Sequence, residues 1–154
     1  MTHDEAAALQ NDYGLKFPAA YLRAITDSYP FTEPKEELWD EPHLLRESND
    51  YFRKEKPWGF AWEPHFWKIG GDGGGGFYFI NSRETANDVY YVDHEAPARN
   101  IEDSENLSVT SFQEFIGEVL ELEKEMQKFE SEMTQSAANR KWWQFWIPRQ
   151  WPPA

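Results

Sequence analysis

The chain has 154 residues, no cysteine, and 28 acidic against 15 basic residues, for a net charge of −13. The missing cysteine excludes disulfides, thiolate metal ligands and cysteine nucleophiles. The acidic balance argues against general nucleic-acid binding, which depends on lysine and arginine, and it favours basic partners. With 17% aromatic residues the composition is that of a folded chain, and its length predicts one domain.

Three helices are predicted in the first third of the chain. Residues 4–12 are rich in alanine and acidic at their start. A second helix is predicted to begin at Pro18, because the missing N–H of proline costs nothing in a first turn, and to stop at Pro30. The third is predicted from Pro42 to about Lys54.

Aromatic and β-branched runs predict strands at Phe66–Gly70, Phe77–Asn81 and Asp88–Asp93. Turn-forming residues separate these runs, which indicates an antiparallel meander. The last two runs are apolar on both faces, so we expect cover on both sides of the sheet. The glycine-rich connection Gly70–Gly76 opens a strand and not a helix, which favours a hairpin turn over a phosphate-binding loop.

The last helix is predicted to start at Ser111, which forms a capping box with Glu114. Apolar residues then follow helical spacing on one stripe, at Phe112, Phe115, Ile116, Val119, Leu120, Met126 and Phe129. This order of elements predicts an α+β fold with a central antiparallel meander flanked by helices. We expect one domain over residues 1–133 and a Trp-rich tail over 134–154.

The tail is basic and holds four tryptophans, Trp142, Trp143, Trp146 and Trp151. Docking back on the same domain is the favoured interpretation, because an unburied cluster invites aggregation. The alternatives are pairing of two protomers into a homodimer and contact with a membrane surface. No run approaches the roughly 20 apolar residues of a membrane span, and the N-terminus is acidic, so we expect a cytoplasmic protein without a membrane partner.

The triplet Asp93-His94-Glu95 is the best catalytic candidate, since a histidine beside carboxylates can act as a general base. Neighbouring residues on a strand point to opposite faces, however, which favours a turn at the strand end. The four histidines show no metal-ligand spacing. We therefore predict no catalytic residue, no metal site and no cofactor.

Two features indicate a surface for binding another protein. Acidic residues dominate positions 84–105, which is either a solvated loop face or a docking surface for a basic protein. Tryptophans in a loop-like segment belong either to the core, which is favoured, or to an interface. The predicted partner-binding residues are Trp58, Trp62, Asp72, Glu84, Asp88, Asp93, Glu95, Glu102, Asp103 and Glu105.

A set of segments in the same order resembles the SUKH superfamily, the Smi/Knr-like group of bacterial immunity proteins. The resemblance runs over about residues 4–128 and depends on Phe17-Pro18-x-x-Tyr21, Ile69–Gly75, Tyr78-x-Ile80-Asn81, Val89–Glu95 and Ser111-Phe112-x-Glu114-Phe115-Ile116. It implies an α+β fold and a non-enzymatic role, the binding and blocking of a cognate toxin. Many toxins met by this group attack nucleic acid and have basic surfaces.

Two other functions are weighed against this one. The first is a regulatory scaffold of the Smi/Knr type that binds several protein partners. The second is a hydrolase that uses His94 with nearby carboxylates. We rank the immunity protein first, the scaffold second and the hydrolase last.

Overall fold

The computed structural model describes residues 1–27, 36–83 and 87–139, with only the backbone for 137–139. Its elements in chain order are α1 (His3–Tyr13), α2 (Ala19–Thr26), α3 (Pro42–Glu55), a 3-10 turn (Pro57–Gly59), β1 (Phe66–Gly71), β2 (Phe77–Asn81), β3 (Asp88–Val92), β4 (Leu107–Ser111) and α4 (Phe112–Asn139). The predicted α+β fold with a central meander and flanking helices is confirmed.

Helices α1 and α4 begin where a side chain satisfies their first backbone groups. At α1, Thr2 Oγ1 accepts from Glu5 N at 3.2 Å, and Glu5 Oε2 accepts from Thr2 N at 2.8 Å. The predicted capping box of Ser111 and Glu114 has the same two bonds, at 3.2 and 3.1 Å. Pro18 precedes α2 by one residue, and the predicted stop at Pro30 lies outside the described residues.

The four strands pair in the order β1-β2-β3-β4, and every neighbouring pair is antiparallel. In register, Phe77 opposes Val92, which in turn opposes Leu107. The start of β2, the end of β3 and the start of β4 therefore meet at one end of the sheet, which we call the loop end. No strand was predicted at β4, because only two of its five residues are apolar.

Period-two alternation sends side chains to two cores, one on each face of the sheet. The first core packs Trp67, Ile69, Ile80 and Val89 against α1, α2 and the start of α4. The second core is mainly aromatic and joins Phe66, Phe77, Phe79, Tyr90 and Val92 with Phe52, Phe60, Trp62 and Ala98. Both faces are covered, as the apolar composition of the central strands predicts.

The outer edge of β1 is closed by side-chain amide bonds from α3. The buried Asn49 donates from Nδ2 to the carbonyl of Lys68 at 3.0 Å and accepts the Lys68 N–H on Oδ1 at 2.8 Å. A third bond from Nδ2 reaches the Leu45 carbonyl at 2.9 Å. The amide thus replaces a neighbouring strand, which protects an edge that could otherwise pair with another chain.

Closer to the hairpin, residues 36–39 run along the same edge. Trp39 N donates to the Ile69 carbonyl and Gly71 N donates to the Glu36 carbonyl, both at 2.8 Å. This approach is so close that a Cβ on Gly70 would collide with the carbonyl of Glu37. Glycine at position 70 therefore allows the backbone of residues 36–37 to pack directly on β1.

The chain forms two compact units, Met1–Val119 and a second unit that begins at Leu120. The predicted domain limits, 1–133 and 134–154, stay a prediction. The tail tryptophans and their predicted docking lie outside the described residues. None of the helices that the structure describes has the length and hydropathy to span a membrane.

Candidate partner-binding surface

The loop end gathers most of the predicted acidic residues. Asp72 lies in the connection between β1 and β2, while five more carboxylates lie between β3 and β4, at positions 93, 95, 102, 103 and 105. The β3–β4 connection holds one guanidinium, that of Arg99. The meander thus brings together acidic residues that are up to 33 positions apart in sequence.

Asp72 holds the hairpin to the third strand. Its Oδ2 accepts from the hydroxyl of Tyr91 at 2.7 Å, and its Oδ1 accepts from Gly74 N at 2.8 Å. Partial burial raises the pKa of Asp72, but these hydrogen bonds outweigh it and the net pKa is lowered. Burial, followed by the bond to Asp72, raises the pKa of Tyr91 far above its ordinary 10.0. The Asp72 carboxylate is therefore already hydrogen-bonded within the fold.

Two other aspartates hold their own turns. Asp93 Oδ1 accepts from Glu95 N at 2.8 Å, and Asp103 Oδ2 accepts from Arg99 N at 3.1 Å. These are the side-chain-to-backbone bonds that aspartate commonly makes in turns. The three aspartates of the loop end consequently have structural roles that explain their presence.

The glutamates at the loop end differ from these aspartates in their hydrogen bonding. Glu95, Glu102 and Glu105 are exposed, and their carboxylates have no hydrogen bond or ion pair with any other residue that the structure describes. We call these three residues the acidic trio. Their charges are available to a partner, whereas those of the aspartates are largely committed to turns.

Of the two remaining acidic candidates, Asp88 does not belong to this surface. Asp88 opposes Ser111 at the start of β3. It is four residues, or about 13 Å along the strand, from Val92 at the loop end. Glu84 lies outside the described residues. The predicted acidic surface is therefore divided, and its concentrated part is the β3–β4 connection.

The two candidate tryptophans have different environments. Trp62 is 5% exposed and belongs to the second core, so its predicted partner contact is corrected to a packing role. Trp58 is 43% exposed and stacks on Phe77 at the loop end, with ring centroids 5.5 Å apart. Its backbone has φ of 58°, a left-handed conformation that side chains rarely adopt. Of the two, only Trp58 offers a ring to a partner.

The structure also places Lys68, which was not among the predicted site residues, over three aromatic rings. The Lys68 ammonium lies 4.5 Å from the ring centroid of Phe52, 4.7 Å from that of Trp39 and 5.9 Å from that of Phe77. Burial lowers the pKa of Lys68 to about 8. The signal in the sequence is its alternation with Trp67 and Ile69, which puts Lys68 on the second-core face.

His94, in the β3–β4 connection, packs on the β1–β2 connection. Its imidazole lies over Gly75, where an added Cβ would meet Cγ at 3.1 Å. Its Nδ1 is 3.5 Å from Asp93 Oδ1, and its side chain is 41% exposed. This position fits the strand-end turn favoured in the sequence analysis. Within the described ranges, no group of His, Asp and Glu side chains has an arrangement that could hold a metal ion.

Comparisons with protein-family models, with curated proteins and with solved structures find no match to this chain. The resemblance to the SUKH superfamily accordingly stays a prediction from the sequence.

Proposed function

We propose that the chain is a cytoplasmic immunity protein of the SUKH type, which binds a cognate bacterial toxin or effector domain and blocks it stoichiometrically. The expected toxin is basic and acts on nucleic acid, because such an enzyme needs a cationic surface to hold phosphates. The observation that carries the proposal is the acidic trio. Its three exposed carboxylates have no partner among the described residues and suit a basic protein.

Electrostatics would act mainly on the rate of encounter. A net charge of −13 attracts a cationic protein from a distance, and six of the carboxylates lie in the two connections at the loop end. Like charges crowded on one connection repel each other, and a basic partner relieves this repulsion. The acidic trio is therefore expected to raise the association rate more than it slows dissociation.

An exposed aromatic residue, Trp58, would contribute binding energy once the partner has been attracted. Trp58 is held by its stack on Phe77, so little conformational freedom remains to be lost when a partner covers it. Tryptophan is also enriched among the residues that dominate binding energy. We assign Trp58 the anchoring role and the acidic trio the steering role.

The test uses the full chain and the C-terminal domain of the protein encoded immediately upstream. Isothermal titration calorimetry at low and at high salt should give a one-to-one complex whose affinity falls as salt rises. The nuclease or other activity of that domain should disappear at one equivalent. Absence of a complex would remove the proposal. A pull-down that returns several unrelated proteins and no toxin would favour the regulatory scaffold instead.

The hydrolase alternative has a separate test. In His94→Ala, an immunity protein should still protect cells from the toxin, because His94 has a packing role at the loop end. A hydrolase that depends on His94 as its general base would lose its activity. Protection that persists in this variant therefore eliminates the enzymatic alternative.

A further inference from the structure

The apolar stripe of α4 continues past the residues that the first core buries. Phe112, Phe115 and Val119 are at most 4% exposed. Leu122, Met126, Phe129 and Met133 then follow on the same stripe, and they are 46%, 65%, 63% and 56% exposed. We call these four residues the α4 seam. Large apolar side chains exposed in a continuous row are typical of a contact surface.

The spacing of the α4 seam identifies the kind of contact. Its residues follow one another after four, three and four positions, which is the alternation of the a and d positions in a heptad repeat. With Met126 at position a, the flanking e positions are Glu123 and Glu130, and the g positions are Glu125 and Glu132. The seam is an apolar row bordered on both sides by carboxylates.

The glutamates that flank the α4 seam argue against a second copy of this chain as its binding partner. In a parallel helix pair, g positions meet e positions of the partner helix, and in an antiparallel pair g meets g and e meets e. Either arrangement of two identical helices would bring glutamates together. Such like-charge contacts disfavour self-association. The occupant must instead carry apolar side chains together with positive charge.

A segment with this chemistry follows directly in the chain. Residues 140–154 contain three basic residues, no acidic residue, four tryptophans, Phe145 and Ile147. Helix α4 ends at Asn139, so this segment starts about 10 Å along the helix beyond Met133, the last residue of the seam. We propose that residues 140–154 fold back along α4 and cover the seam with their aromatic side chains, while their basic side chains meet the flanking glutamates.

The segment is long enough for this contact. Leu122 is 17 residues before the end of α4, a distance of about 25 Å along the helix axis. Fifteen residues in an extended conformation span up to about 50 Å. The segment can therefore reverse direction and still reach the far end of the seam. Each tryptophan can remove a large apolar area from water, which supplies the driving force.

Nuclear magnetic resonance can test this contact in the full chain. The protein contains three methionines, of which Met126 and Met133 are in the seam and Met1 packs against the first core. With 13C-methyl methionine, we expect nuclear Overhauser effects from the Met126 and Met133 methyl groups to indole protons of Trp142, Trp143, Trp146 or Trp151. Met1 should show none to these indoles.

A mixed sample separates contacts within one chain from contacts between two. Methyl-labelled chains are mixed with chains carrying labelled tryptophan only, so that effects seen in the mixture arise between copies. Effects within one chain support the proposal. Effects only between copies would replace it with a pair that exchanges tails. Absence of effects to the tail indoles would also overturn it and leave the seam open to another protein.

Two variants complete the test. Phe129→Glu places a carboxylate in the seam and should lower the ratio of docked to undocked tail by at least about fivefold. Gln127→Glu adds the same charge outside the seam, on the same exposed helix, and should leave that ratio within about twofold. Phe129 is already 63% exposed, and an unchanged Met1 resonance shows that the first unit remains folded. Equal effects of the two variants would contradict the proposal.

Discussion

The hydroxyl of Tyr91 donates a 2.7 Å hydrogen bond to the carboxylate of Asp72, which joins β3 to the turn between β1 and β2. Replacing the tyrosine by phenylalanine removes this bond and leaves the carboxylate one donor short. We expect Tyr91→Phe to lower the free energy of unfolding by about 1–2 kcal/mol at pH 7, measured by urea denaturation. Tyr51→Phe is the control, because Tyr51 is 53% exposed, and its effect should stay below about 0.5 kcal/mol.

The same bond should depend on pH. Because the pKa of Asp72 is lowered in the folded chain, its ionised form contributes stability above the ordinary value of 3.8. This contribution is lost as the pH falls through the folded pKa, which is lower still. The difference between the wild-type chain and Tyr91→Phe should therefore shrink below pH 4. A difference that is constant from pH 7 to the acid limit would show that the bond does not involve the carboxylate.

Two glycines provide a matched pair of alanine substitutions. Gly70→Ala would force a Cβ against the Glu37 carbonyl, so we expect a loss of about 3 kcal/mol or more in the free energy of unfolding. Gly117→Ala, in α4, meets no atom within 4 Å and should gain about 0.5–1 kcal/mol through its better helix propensity. Thermal or urea denaturation measures both. Similar effects at the two positions would contradict the close packing of residues 36–39 on β1.

Lys68 should make stability depend on pH in the alkaline range. Its folded pKa is about 8 against an ordinary 10.5, so between these values the unfolded chain binds more protons and stability rises with pH. Relative to Lys68→Met, we expect the wild-type chain to gain up to about 3 kcal/mol from pH 8 to pH 10.5. Because both chains contain the same tyrosines, the comparison cancels the contribution of tyrosine titration to the pH dependence of stability. A flat difference would mean that Lys68 titrates as an exposed lysine.

Neutralising the acidic trio should slow binding of the basic toxin. The triple variant Glu95→Gln, Glu102→Gln, Glu105→Gln is expected to reduce the association rate at low salt by about tenfold, with a smaller change in dissociation. Stopped-flow fluorescence at several salt concentrations measures both rates.

The control removes the same charge elsewhere. Asp4→Asn, Glu47→Gln and Glu63→Gln neutralise three exposed carboxylates on α1, on α3 and before β1. If the local concentration of charge matters, this triple variant should change the association rate by no more than about threefold. Equal slowing in the two variants would show that only the net charge of −13 steers the partner, and that the loop end has no special role.

Trp58 should affect the dissociation rate constant of the complex with the toxin. Trp58→Ala removes an exposed ring, and we expect it to speed dissociation of the toxin by about thirtyfold while changing the association rate little. Tyr51→Ala is the control, since Tyr51 is similarly exposed on α3. Surface plasmon resonance measures the dissociation of each complex. Unchanged dissociation in Trp58→Ala would assign the anchoring role to another part of the surface.

Several elements follow from short-range patterns, because their physical causes lie within a few residues. The capping box of Ser111 and Glu114 marks the start of α4, and the alternating runs mark three strands. The Thr2–Glu5 box has the same spacing and could have been predicted as well. Among the strands that the structure describes, the one that was missed, β4, has only two apolar residues and is formed by pairing with β3.

The sequence by itself determined the order of the four helices and the first three strands, the acidic character and the apolar stripe of α4, since propensity, capping, periodicity and charge are local properties. Only the tertiary structure decided which carboxylates are committed and which are free. Asp72 is held by Tyr91, 19 residues away, whereas Glu95 has no partner among the described residues. It also decided that Trp62 is core and Trp58 surface, because burial depends on which distant segments the meander brings together.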